Sequence, residues 1–244
     1  MENRVALITG GARGIGRAVT LDLAAHGWSV VICYRTSGEA AREVTEAAQE
    51  KGVKALALQA DVSDPQTAVE LARRIERGWG RIDALINSAG PYHRTPILEE
   101  TIEGWHSMFD NNLHPVFYLS RAVLAGMKQR KWGRIISFTM ANVEQLVAQP
   151  QLTAHYISKV GVLVFMRSLA RVAAPHGITA NCVAPGFIDS GSAPQEELGT
   201  AVKRIPAGYV GSVQDTTAVV RFLLSEDARY INGANIQISG AWGV

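Results

Sequence analysis

Short apolar runs alternate with longer polar-and-apolar stretches from one end of the chain to the other. The runs "RVALIT", "SVVICY", "KALALQA", "ALINS", "RIISFT", "ITANCVA" and "NIQIS" read as strands. Stretches such as "GIGRAVTLDLAAHG" and "DPQTAVELARRIERG", which lie between them, read as helices. Strands that are apolar almost throughout are buried on both faces, which predicts a parallel sheet covered by helices on both sides. Right-handed crossovers then give a doubly wound, Rossmann-like α/β fold of about seven strands. No linker, internal repeat or low-complexity segment breaks the pattern, so a single domain over residues 1–244 is expected. The stretch "SGSAPQEELGTAVKRI", from Ser190 to Ile205, is expected to be a mobile lid over a substrate.

Composition narrows the function classes. A chain of 244 residues with 47% hydrophobic content is long enough to bury one large core. The net charge of +2, from 24 basic and 22 acidic residues, gives no sign of a nucleic-acid or membrane-surface partner. Cys33 and Cys182 stand in apolar runs and read as buried free thiols; a disulfide is the alternative, but nothing suggests secretion. The start "MENRVALITGG" enters a strand at once, without a leader. No apolar run reaches the roughly 18 residues of a membrane helix. A soluble cytoplasmic protein is therefore expected. His26, His106, His114 and His176 are scattered without metal-ligand spacing, so no metal is expected.

Chemistry enters with "LITGGARGIGRA", which follows the first strand and opens a helix. Gly10, Gly14 and Gly16 let the backbone turn tightly and approach a pyrophosphate, with Arg13 and Ile15 between them. The helix N-terminus adds free N–H groups and the positive end of its dipole. Between a strand and a helix, this loop points to a dinucleotide.

Further motifs follow in order: "ADV" with Asp61 and Val62, "NSAG" with Asn87, Ala89 and Gly90, "NNLHPVF" with Asn112, and "NCVAPGFIDS" with Pro185, Gly186, Ile188 and Ser190. With the glycine spacing, they make the chain resemble the short-chain dehydrogenase/reductase family over nearly its whole length. Within that family its general look is similar to the 3-oxoacyl-acyl-carrier-protein reductases. The resemblance implies an adenine-contacting turn at Asp61 and Val62, cofactor contacts at Asn87, Ala89 and Gly90, and an active-site asparagine at Asn112. It also implies a loop holding the nicotinamide carboxamide through Pro185, Gly186, Ile188 and Ser190.

The end of the second strand selects the nicotinamide. An NAD enzyme places a carboxylate there for the ribose hydroxyls. Here "VVICYRTSGE" has Tyr34 in that place, followed by Arg35 and Thr36. Arg35 and Arg13 are positioned to pair with a 2′-phosphate, which favours NADP(H). Two solvated surface arginines are the alternative.

The stretch "AHYISKVG" departs from the family pattern. The resemblance implies a tyrosine acid four residues before a lysine that binds the nicotinamide ribose, and a serine that orients the substrate carbonyl. Lys159 fits, but four residues before it stands His155, and Tyr156 is one place late. Helical residues turn by about 100° each, so His155 shares the face of Lys159 and Tyr156 points elsewhere. A slipped register with Tyr156 turned inward is the alternative. The serine place, counted from Gly133, holds Met140, which has no donor. Tyr92, His93, Asn142, Glu144 and Tyr156 are candidates to supply the missing donor, with Tyr92, Met140 and Asn142 expected in the substrate pocket. Two readings follow: a reductase of a carbonyl or acyl-carrier-linked substrate with His155 as the altered acid, or a cofactor-binding protein that has lost catalysis and acts as a sensor or subunit. The helix continuing as "GVLVFMRSLARVAA" is apolar over more of its surface than one sheet face covers, and Trp242 lies near the chain end. With the resemblance, this implies a homotetramer or, failing that, a dimer.

Overall fold

Within the first strand, β1 (Val5–Thr9), burial alternates between two cores, and this alternation organises the molecule. Val5 and Leu7 pack into one core, Ala6 and Ile8 into the other. Both faces of the strand are thus dry, as its unbroken apolar run requires. The structure, a computed structural model, describes residues 4–191 and 195–243.

The remaining strands are β2 (Ser29–Tyr34), β3 (Ala55–Gln59), β4 (Ala84–Asn87), β5 (Gly133–Phe138), β6 (Ile178–Pro185), β7 (Ile188–Asp189), β8 (Gly211–Ser212) and β9 (Asn235–Ile238). The helices are α1 (Gly14–Ala25), α2 (Gly38–Gln49), α3 (Pro65–Trp79), α4 (Ile102–Asn112), α5 (His114–Arg130), α6 (Thr153–Ala173), α7 (Gln195–Val202) and α8 (Val213–Leu224). Seven strands form one sheet in the order β3-β2-β1-β4-β5-β6-β9, and β7 pairs with β8 apart from it. Every pair in the large sheet is parallel. The chain order reverses between β1 and β4, the switch point where doubly wound sheets bind ligands at the carboxyl ends of their strands.

Leu119, Val123 and Met127 of α5, with Val162 and Met166 of α6, cover one face. Val19 and Leu23 of α1, with Val220 and Leu223 of α8, cover the other. The seven expected strands are the seven strands of the sheet, with ends displaced by a residue or so. Cys33 and Cys182 are free and buried; burial pushes each thiol up to about 12. Among the described residues no helix is long and apolar enough to cross a membrane. In the expected lid, α7 occupies part of the span, and residues 192–194 lie outside the described residues. Trp242 is half-buried, its ring packing on Phe187 of the same chain, centroids 4.7 Å apart.

Candidate active site

The carboxyl ends of β1 to β4 open onto one cleft of about 440 Å³. The glycine loop shapes its base. Gly10 and Gly14 take φ of +65° and +52°, which side chains rarely tolerate. A Cβ on Gly16 would collide with the Gly10 carbonyl, so the third glycine lets α1 pack against the loop. Ile15, half-buried, anchors the start of the helix in the second core. Arg13 is the N-cap of α1 but caps nothing with its side chain, so the first-turn N–H groups are left for an anionic ligand. These features fit a pyrophosphate.

Along the same cleft stand Tyr34 at the end of β2, Arg35 and Thr36 beyond it, and Asp61 and Val62 beyond β3. The Arg35 guanidinium donates to Asn111 Oδ1 at 2.9 Å and lies 3.9 Å from the Asp61 carboxylate. It is held over the cleft yet stays half exposed, and Arg13 lines the same space. Asp61 accepts from the backbone N–H and hydroxyl of Ser63 at 3.0 and 2.7 Å. Beyond β4, the Thr9 hydroxyl accepts the N–H groups of Ser88 and Ala89, each at 3.1 Å. That turn brings Ala89 and Gly90 to the wall.

Asn87 stands at the end of β4. It is buried on β4 and its amide donates to the Ser137 hydroxyl of β5 at 3.0 Å. It ties two strands together below the cleft, because a residue at the strand end still obeys the pleat. On the far side, Gly186 is pressed so close to Ser239 that a Cβ there would lie 2.9 Å from the Ser239 Cα. Pro185 ends β6, and Ile188 pairs with Gly211 in the small sheet. Ser190 returns toward the glycine loop: a Cβ on Gly14 would be 3.7 Å from its Cβ.

The stretch "AHYISKVG" lies at the start of α6. His155, Tyr156 and Lys159 are all buried. The His155 ring meets the Tyr92 ring edge-on, centroids 5.1 Å apart and planes at 88°. Lys159 donates to the Phe138 carbonyl at the end of β5, at 3.0 Å. Asn112 donates to the Met108 and Pro91 carbonyls at 3.0 and 3.2 Å. Tyr156 points into the loop after β5. Its hydroxyl donates to the Asn142 carbonyl at 3.0 Å and accepts the Val147 N–H at 3.2 Å. The phenol thus makes both of these hydrogen bonds to backbone.

The other donor candidates divide. Tyr92 is well exposed beside His155. Asn142 is buried, with its carbonyl taken by Tyr156 and its backbone close to Gly243. Glu144 is spent on an ion pair with Arg167 and a hydrogen bond from Asn235 at 3.1 Å. His93 lies 3.9 Å from Glu100. Met140 is half-buried against the first core, and Thr139 turns away to Asn235 Oδ1 at 2.7 Å.

Electrostatics decides what His155 can do. Burial, aided by the charge of Lys159, drives its imidazole down to about 3, although the Pro91 carbonyl works in the other direction. Its Nδ1 is buried without a hydrogen-bond partner. Burial also lowers the Lys159 ammonium to about 8. Near neutral pH the site thus holds a neutral imidazole beside a mostly charged lysine. A neutral imidazole can orient an oxygen or accept from a donor, but it gives up a proton poorly. Sequence reading overlooked three contributors: Asn111, which holds Arg35; Thr9, which shapes the "NSAG" turn; and the Pro91 carbonyl, which meets Asn112. Each acts through a backbone carbonyl, a hydroxyl or a neutral amide, which leaves no charge pattern in the sequence.

The chain is similar to known proteins over nearly its whole length. A family described as enoyl-(acyl carrier protein) reductase matches residues 10–242. A 3-oxoacyl-acyl-carrier-protein reductase of Haemophilus influenzae is 35% identical over 243 residues, covering 98% of each chain. The Escherichia coli protein of the same name is 34% identical over 242 residues, covering 98% of this chain and 97% of its own. Among solved structures, a blue fluorescent protein from a metagenomic library in complex with NADPH superposes with a TM-score of 0.91 at 31% identity, covering 99% of this chain and 98% of the other.

Proposed function

This chain belongs to the short-chain dehydrogenase/reductase family, and we propose that it is an NADPH-dependent oxidoreductase that reduces a carbonyl of the 3-oxoacyl or ketone class, with His155 in the place of the family's tyrosine. The observation that carries the cofactor choice is the end of β2, where Tyr34 replaces a carboxylate and Arg35 and Arg13 line one cleft. The names of the relatives and the NADPH complex of the similar structure support the same reading.

The residues divide the work. The free N–H groups at the start of α1 hold the pyrophosphate, and Gly10, Gly14 and Gly16 let it approach. Arg35 and Arg13 take the 2′-phosphate, and Thr36 adds a hydroxyl. Val62 and Asp61 flank the adenine, and Ala89 and Gly90 form the wall beside it. Lys159 holds the nicotinamide ribose, and Pro185, Gly186, Ile188 and Ser190 hold the carboxamide. The cofactor, when bound, supplies the hydride. His155 orients the substrate oxygen with Tyr92 at the mouth of the pocket and Met140 as an apolar wall, and Asn112 supports the loop at Pro91. Residues 190–205 act as the lid. A second reading, binding without turnover, is favoured by one observation: burial keeps His155 neutral.

The test of the cofactor is Arg35→Ala. It should weaken NADPH by about tenfold to a hundredfold, as loss of a charged hydrogen-bonding partner does, and leave NADH nearly unchanged. Equal NADPH and NADH affinities in the unaltered protein, by fluorescence titration, would end the NADP assignment. For assembly we propose a homotetramer, or a dimer in its place. Ile157, Val164 and Val172 on α6 and Phe117 on α5 stay exposed, and a second copy would cover them. Light scattering should find the oligomer at micromolar concentration, and a monomer there would count against it.

A further inference from the structure

We propose that Tyr156 is a positioning residue, a clamp whose hydroxyl folds the loop between β5 and α6 into one wall of the substrate pocket. The proposal rests on the reductase reading above for its effect on turnover, though not for the clamp itself.

The loop begins at Met140 and turns through a single 3-10 turn, Val143–Gln145. Two residues bracketing that turn, Asn142 and Leu146, sit at φ of +64° and +51°. Neither is glycine, and a side chain in the left-handed region costs on the order of 1 kcal/mol per residue. Such a conformation persists only where its surroundings hold it. Tyr156 supplies the hold at both ends: its hydroxyl donates to the carbonyl of Asn142 and accepts the N–H of Val147, next to Leu146. The ring is 6% exposed, so these bonds are shielded from water.

The other side of the loop is tied to the C-terminal segment. Gln145 donates to the Gly243 carbonyl at 2.7 Å, and Asn235 of β9 donates to Glu144, which also pairs with Arg167 of α6. The loop is thus gripped from α6 below and from the chain end above. Met140, at its base, stands in the place of the carbonyl-orienting serine. Loosening the loop would therefore move the pocket wall and leave the part of the cofactor cleft at the ends of β1 to β3, where Arg13 and Arg35 stand, as it is.

A single-atom change separates this role from that of a proton donor. Amide exchange should find the Val147 N–H protected in the unaltered protein. In Tyr156→Phe, exchange over residues 142–148 should quicken at least tenfold, with NADPH affinity within about twofold. With a panel of β-ketoesters and simple ketones, KM should rise several-fold, kcat should fall less, and the pH profile should keep its shape. An unprotected Val147 amide, or equal exchange in the two proteins, overturns the clamp, whatever the panel shows. A kcat collapse at unchanged KM, with a lost pH limb, also overturns it, because it would make Tyr156 the acid. If neither protein turns over the panel, the reductase reading fails and amide exchange alone decides the clamp.

Discussion

Changing His155 to Tyr and Met140 to Ser together should raise NADPH-dependent reduction of simple ketones by about a hundredfold or more. A positioned general acid contributes on the order of a hundredfold to ten-thousandfold. A donor aimed at the developing oxyanion contributes a comparable factor. Burial holds the imidazole at 155 down to about 3, so it is neutral at pH 7 and a poor proton donor. Met140 has no proton to offer.

The site keeps what a phenol at 155 would need. Lys159 is buried four residues on and fixed by the Phe138 carbonyl at 3.0 Å. A positive charge so close favours the ionised phenol and lowers the cost of giving up its proton. The ring now beside position 155 is Tyr92, which is 58% exposed and free to yield space. A stopped-flow or steady-state assay with a β-ketoester reads the gain. No gain, together with loss of a strong native activity in Tyr156→Phe, would mean that the register had slipped and that Tyr156 is the acid after all.

The fold was legible because each level of the sequence repeats the same message. "SVVICY" is β2 to the residue, because its apolar middle is buried on both faces and makes one unbroken run. The glycine loop was legible for a different reason: Gly10 and Gly14 need positive φ and Gly16 needs the absence of a Cβ, so the residue type states the geometry. That "AHYISKVG" is helical was also legible, and a fixed turn per residue then separates His155 from Tyr156. What the sequence did not carry was where each side chain finds its partner. Asn87 sits in a cofactor-contact motif, yet the pleat of β4 turns its amide to Ser137. Glu144 looked like a spare donor until the fold brought Arg167 and Asn235, far along the chain, against it. The use of the Tyr156 hydroxyl depends on two left-handed residues in the loop, and nothing in "NVEQLV" announces them.

Acid should destabilise this protein through His155 more steeply than through an ordinary histidine. The imidazole is 6% exposed in the fold, and its pKa falls from 6.5 to about 3, chiefly through burial. A lowered folded-state pKa means that, between these values, the unfolded chain binds a proton that the folded chain refuses. Stability is then complete above about pH 6.5 and is lost as the pH falls toward 3, by about 1.4 kcal/mol per pH unit. Lys159 does not blur the window: its folded-state value is about 8, so it is charged in both states below pH 6.5. The clean comparison is His155→Gln, which keeps a polar side chain of similar size without a titrating group. Urea unfolding of both proteins from pH 7 to pH 4 should show the difference between them moving by about 3 kcal/mol in favour of the glutamine protein. A difference that stays constant over that range would mean that His155 binds its proton in the fold as readily as in the unfolded chain, and imidazolium would then be available to the substrate near pH 6.5.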